Sequence, residues 1–194
     1  PTASYSSQPS TPAAAMSLTF GLSFSESVSG LAAGDLSNAG TALGCVFTPS
    51  AASGSTINVV VTQCQEGTLQ LRLAANGVTD AAGNTGSASQ PVTVTVDPYP
   101  PVAPVMNAPQ YSSSSRPLIS GRAEAASTVR LYDGNRVVAE VVAAADGAWS
   151  FTPAEPWTEG SHPLTAVAVD AAGNTSGPGT NRVFAGALLI TGAI

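Results

Sequence analysis

Leu18, Phe20, Leu22 and Phe24 are separated by Thr19, Gly21 and Ser23. That alternation has the two-residue period of a strand with one buried face. The same period returns at Ile57, Val59 and Val61, at Leu69, Leu71 and Leu73, and without interruption from Val92 to Val96. In the second half, Val129 and Leu131 alternate with Arg130 and Tyr132, Trp149 and Phe151 share a face, and Leu164 to Val169 forms a further strand. No stretch of useful length carries helical periodicity. Asp133-Gly134-Asn135 is a tight hairpin signal, because Gly and Asn tolerate the positive φ of such turns. Asp146-Gly147 marks a second turn. Short strands punctuated by turns every ~8–12 residues predict an all-β chain folded as β-sandwiches.

The alternation at Val92–Val96 runs into Asp97-Pro98-Tyr99-Pro100-Pro101-Val102-Ala103-Pro104. A last strand followed by a proline-rich segment reads as a domain end and a semi-rigid linker. The sequence therefore divides into a sandwich over 1–97, a linker over 98–101, a second sandwich over 102–186 and a tail over 187–194. A repeat joins the halves. Asp80-Ala81-Ala82-Gly83-Asn84-Thr85 recurs as Asp170-Ala171-Ala172-Gly173-Asn174-Thr175, each copy after an apolar strand and before its domain's last one.

The 194 residues contain six arginines, no lysine and twelve acids, for a net charge of −6. A chain this acidic lacks the clustered cations that phosphate backbones require, so nucleic acid is not an expected partner. Pro1 to Ser10 is polar and carries no leader pattern, so the chain reads as a mature or excised segment. The apolar stretch from Ala185 to Ile190 is too short to span a membrane; it reads as a final strand plus a tail, with the start of a C-terminal anchor as the rival. Cys45 and Cys64, the only cysteines, are read as one disulfide, against two buried thiols, and hence as a mark of an oxidising compartment.

Catalytic candidates are few. The one histidine, His162, follows Gly160-Ser161 and precedes Pro163, and reads as an exposed turn residue in place of a base. Glu155 and Glu159 flank Pro156-Trp157 in a polar loop, and nothing places them across a cleft. Trp149 reads as core. Trp157, in a loop, either packs over the sandwich end or offers a contact surface. Asn174-Thr175-Ser176 has the form of a glycosylation sequon but reads as part of the repeated turn.

The second half resembles the bacterial Ig-like repeats of large secreted surface adhesins and biofilm-associated proteins. The likeness rests on Pro117-Leu118-Ile119-Ser120-Gly121-Arg122-Ala123-Glu124, Val129-Arg130-Leu131-Tyr132-Asp133-Gly134, Asp146-Gly147-Ala148-Trp149-Ser150-Phe151-Thr152-Pro153 and Ala168-Val169-Asp170-Ala171-Ala172-Gly173-Asn174. The first half resembles a sister repeat through Phe24-Ser25-Glu26-Ser27-Val28-Ser29-Gly30-Leu31 and Val78-Thr79-Asp80-Ala81-Ala82-Gly83-Asn84, although its cysteine pair departs from the common pattern. The resemblance implies two tandem Ig-like, fibronectin type III-like sandwiches at a bacterial cell surface. It further implies a non-catalytic extender, with neighbouring repeats as partners, a host or matrix ligand held by other domains, and calcium often stiffening the domain junctions. The lack of lysine excludes the Lys–Asn isopeptide crosslink of some Gram-positive surface domains.

A topological argument supplies calcium candidates. In a seven-strand sandwich every second loop returns to the N-terminal pole; in the second domain these loops carry Glu124, Asp146 and Asp170. Asp97 reaches the same junction from the first domain, so four carboxylates are candidate ligands for an ion that prefers six to eight oxygens. The competing reading is that Asp146 and Asp170 simply hold turns. Two rival functions stand beside the spacer. One is a glycan- or host-protein-binding module using Trp157 and Tyr111; the other is an accessory pair from a secreted hydrolase.

Overall fold

The computed structural model describes residues 1–14, 16–107 and 111–186; the tail over 187–194 lies outside the described residues. The chain divides into two compact units, Pro1–Tyr99 and a second that begins at Pro100. Each is a β-sandwich, and there is no α-helix among the described residues.

In unit 1 the strands are β1 (Ala3–Ser7), β2 (Ser17–Ser29), β3 (Leu36–Asn38), β4 (Val46–Pro49), β5 (Ser53–Thr62), β6 (Gly67–Leu73) and β7 (Val92–Val96). They form one sheet in the order β1-β2-β5-β4 and a second in the order β3-β6-β7. The alternation fixes which side faces in. Phe20, Leu22, Ile57, Val59, Leu69, Leu71 and Val94 are buried and meet between the sheets, while the Thr and Ser between them face outward. After β1 the chain crosses to the other sheet, where Ala13 bridges Val96 in parallel. Its N–H donates to the Thr95 carbonyl at 2.9 Å, and its own carbonyl accepts from the Asp97 N–H at 3.0 Å.

In unit 2 the strands are β8 (Val105–Asn107), β9 (Tyr111–Ser112), β10 (Ile119–Arg122), β11 (Thr128–Asp133), β12 (Arg136–Val142), β13 (Ala148–Phe151), β14 (Gly160–Val169) and β15 (Gly179–Ala185). The sheets run β13-β10-β8 and β12-β11-β14-β15-β9. Ile119, Val129, Leu131, Trp149, Leu164 and Val183 fill the core. Here too the leading segment changes sheets, with β9 pairing in parallel with β15.

One difference between the units has a local cause. The turn at Gly134-Asn135, with Gly134 at φ +57, is so short that Asp133 pairs directly with Arg136. β12 must then lie against β11. In unit 1 a longer connection separates β3 from β4, and β4 pairs with β5 in the opposite sheet. Turn length decides which sheet receives the fourth strand.

Two further devices lock the cores. Cys45 and Cys64 form a disulfide with an S–S distance of 1.99 Å. It lies just beyond the Val46–Thr62 pair and so closes the end of the β4–β5 hairpin within one sheet. Gly121 faces Trp149 across β10 and β13. A Cβ there would run into the Val105 carbonyl oxygen and come within 2.7 Å of the indole ring.

Both tryptophans lie in unit 2, so indole fluorescence reports that unit alone. Replacing both cysteines by serine should destabilise unit 1 by about 3 kcal/mol, measured by calorimetry, and leave the fluorescence transition unmoved. Gly121→Ala should do the reverse, lowering unit 2 stability by about 1–3 kcal/mol.

Candidate functional site

Arg122 at the end of β10 pairs with Val105 at the start of β8 and Ala148 at the start of β13, while Thr128 pairs with Val142 and Val169. The loops holding Glu124, Asp146 and Asp170 therefore sit at the end of unit 2 where its first strand begins. They do not gather: among the described residues no three His, Cys, Asp or Glu side chains form a group able to hold a metal. Asp146 Oδ1 accepts the Ala148 N–H at 3.0 Å, fixing the turn before β13. Asp170 accepts the Asn174 N–H through Oδ1 at 2.9 Å and the Asn174 side-chain amide through Oδ2 at 2.8 Å. Glu124 contributes its backbone carbonyl to the buried Ser127 hydroxyl at 2.7 Å. Asp97, in unit 1, accepts the Tyr99 N–H at 3.3 Å. A calcium ion needs several oxygens converging on one point, and within unit 2 these three carboxylates are not clustered in that way.

The repeated motif is one turn built twice. In unit 1 Asp80 Oδ1 accepts the Asn84 N–H at 2.9 Å and Oδ2 the Asn84 amide at 2.8 Å. Gly83 and Gly173 hold φ of +87 and +93, the left-handed conformation that glycine adopts without strain. The Asn84 side-chain bond, then its backbone bond, hold the Asp80 carboxyl below its ordinary 3.8 against a small opposing effect of burial. The stability this adds is complete above 3.8 and is lost as the pH falls through the lowered value. Asn174, whose amide is spent on Asp170, is a turn residue in the sequon position.

His162 corrects the sequence expectation. It is not an exposed turn residue but a buried one, 8% exposed, inside β14. The inward alternation of Leu164, Ala166 and Ala168 extends back to it, the signal that identifies it in retrospect. Its Nδ1 is 2.6 Å from Asp133 Oδ2 and its Nε2 2.9 Å from the Thr158 carbonyl oxygen. Both partners are acceptors, so both contacts are satisfied together only when the ring carries two protons. Burial pulls the imidazole pKa down, but the Asp133 hydrogen bond, the Thr158 carbonyl and the Asp133 charge outweigh it, leaving the pKa above 6.5. Trp157 stacks on this ring at 4.6 Å between centroids and packs against the core. The loop that carries Trp157 is thereby pinned to β14. The His–Asp pair has the look of a catalytic dyad, yet Nε2, the nitrogen that would serve a nucleophile, faces a backbone carbonyl. Glu155 and Glu159 are exposed.

Trp149 is core, as its alternation with Phe151 indicates, and its buried indole N–H meets no hydrogen-bond acceptor among the described residues. The two residues of the binding alternative stand apart. Trp157 lies on the inner side, whereas Tyr111 is 62% exposed on the outer face of the five-stranded sheet. There it meets Phe184, with centroids 5.9 Å apart. Phe184 escaped sequence reasoning because it sits beside the apolar tail, where its outward orientation has no periodic signal.

Two tandem sandwiches, one with the four-plus-three strand partition of a constant-type Ig domain, define an Ig-like protein. Family models described as bacterial Ig-like domain match residues 1–96 and 105–183, between them nearly the whole chain. The chain belongs to the bacterial Ig-like domains. No curated protein matches it. Among solved structures it is similar to the Clostridium thermocellum CbhA fibronectin(III)-like modules, with 17% identity, a TM-score of 0.49 and coverage of 95% of this chain and 94% of that one. It is also similar to a biofilm-associated protein BSP domain, with 17% identity and a TM-score of 0.36 over 98% of this chain and 30% of that one.

The His162 contacts set the pH dependence of unit 2. Because its folded pKa is raised, the stabilisation is complete below about 6.5 and is lost as the pH rises through the higher folded value. Urea denaturation followed by tryptophan fluorescence should show unit 2 weakening with pH in that window. His162→Gln should flatten the dependence.

Proposed function

We propose that the chain is a non-catalytic spacer of a bacterial surface protein. The carrying observation is the parallel pairing of the last strand in each unit with the leading segment after it has changed sheets: Ala13 with Val96, and Tyr111 and Ser112 with Phe184 and Ala185. Parallel neighbours point the same way, so the chain enters each unit at one pole and leaves at the other. A unit with this path adds its own length to the array. A ten-residue strand such as β14 spans roughly 33 Å at ~3.3 Å per residue. Tension on the two ends also loads the terminal hydrogen bonds in shear, together, instead of opening them one at a time.

Other features agree with this reading. The disulfide suits an oxidising, extracellular setting. The proline-rich segment over 98–104 is stiff by composition. The sole histidine is spent on structure, which supports a non-enzymatic role. Neighbouring repeats are the expected partners, and the spacer role does not require calcium, since Asp146 and Asp170 already close turns.

Pulling single molecules of the whole chain from its two ends tests the reading. Two discrete unfolding events are expected. Reducing the disulfide should lengthen the unit 1 event by about 60 Å, from a separation of 19 residues at ~3.5 Å each less the 4.2 Å between the two Cα atoms. Ala13→Pro, which removes the N–H donated to Thr95, should lower the unit 1 unfolding force. Smooth extension with no resolvable event would sink the spacer reading.

A further inference from the structure

Strand alternation puts Arg182 and Phe184 on the outer face of β15, flanking buried Val183, with Ala185 buried beyond. Ser161 on β14 is the register partner of Phe184, and Tyr111 on β9 is its parallel partner. Together with Asn181 these residues line a shallow depression of about 480 Å³, within the ~300–1,000 Å³ of small-ligand sites. Two features set it apart from the Ser/Thr-rich outer surface elsewhere. The Tyr111 and Phe184 rings meet at a tilt of 50° and both remain exposed to solvent. Beside them in the lining stands the Arg182 guanidinium. Among the described residues no ion pair engages Arg182, as none engages Arg72, Arg116 or Arg136. In a chain with a net charge of −6, the depression thus brings one cation and two exposed aromatic side chains into the same lining.

We propose that this depression binds a carboxylate-bearing sugar, a uronic-acid unit within a glycan. The apolar C–H face of a pyranose ring stacks on an aromatic face, and the depression offers two. The guanidinium fork matches a carboxylate in bidentate geometry, which a neutral sugar cannot use. Ser161 supplies a hydroxyl to the ring's own hydroxyls. A single arginine against one carboxylate gives selectivity without the basic patch that a densely charged polyanion would require. The site is independent of the spacer reading: a spacer that also touches acidic matrix polysaccharide gains a weak hold at each copy, and weak holds multiply along an array.

The test is titration of the whole chain with a galacturonic acid trimer and with an uncharged galactose trimer, by ligand-observed NMR and calorimetry. The acidic trimer should bind with a Kd of about 1 mM and the neutral one about tenfold more weakly. Arg182→Gln should erase the difference between them, and Tyr111→Ala should weaken both. Phe184→Thr keeps a strand former on the sheet and should behave as Tyr111→Ala does, with tryptophan fluorescence confirming that unit 2 is folded. Equal affinity for the two trimers, no effect of Arg182→Gln in folded protein, or binding of a Glu-rich peptide in preference to the acidic trimer would overturn the proposal. So would the absence of any signal at 10-fold the expected Kd.

Discussion

Both units depend on one constraint: two sheets, each apolar on one face only, must close against each other. A chain with 9% charged residues and abundant Val, Leu and Ala has few other sources of stability. Phe20, Leu22, Leu69 and Leu71 in unit 1, and Ile119, Leu131 and Leu164 in unit 2, are almost wholly removed from water by that closure. Each such side chain contributes on the order of 1.5–3 kcal/mol. Everything polar is placed by what is left over. Threonine and serine take the outer positions of the strands, and the acids and glycines take the turns. In the last connection of each unit a buried serine repairs the ladder, Ser89 accepting from the Leu73 N–H and Ser176 from the Ala168 N–H, both at 2.9 Å.

Against that shared core, the two units show how much a few turn residues decide. The Asp-Ala-Ala-Gly-Asn-Thr turn is reproduced to within about 0.1 Å in its Asp–Asn hydrogen bonds, because the carboxylate can satisfy the backbone and side chain of Asn only in one loop shape. The connection after β3 in unit 1, and its counterpart after β11 in unit 2, differ in length and send the next strand to opposite sheets. The disulfide belongs to unit 1, where that strand pairs with β5, and closes the hairpin so formed.

Much of the fold was legible because strand periodicity is a local signal. The inward sets at Leu18–Phe24, Ile57–Val61, Leu69–Leu73 and Val92–Val96 are all buried on the predicted face. The turns at Gly134, Gly147, Gly83 and Gly173 all use positive φ. The candidate site was far less legible. A carboxylate in a loop reads the same whether it waits for a cation or already holds its own turn, and Asp146 and Asp170 hold turns. His162 beside Gly, Ser and Pro looks like a turn residue until its acceptors from two other segments, Asp133 and Thr158, are brought to it.

The sequence by itself determined two β-sandwiches, their boundary near Asp97, the faces of their strands and the residues of their turns. These follow from periods of two and from φ preferences, which need no knowledge of distant chain. Tertiary structure alone decided the parallel closure of each unit's leading segment on its last strand, the buried His162–Asp133 contact and the outward meeting of Tyr111 with Phe184. Each joins residues 29 or more positions apart. Such contacts depend on which strand lies beside which, and that is set by packing the whole sandwich.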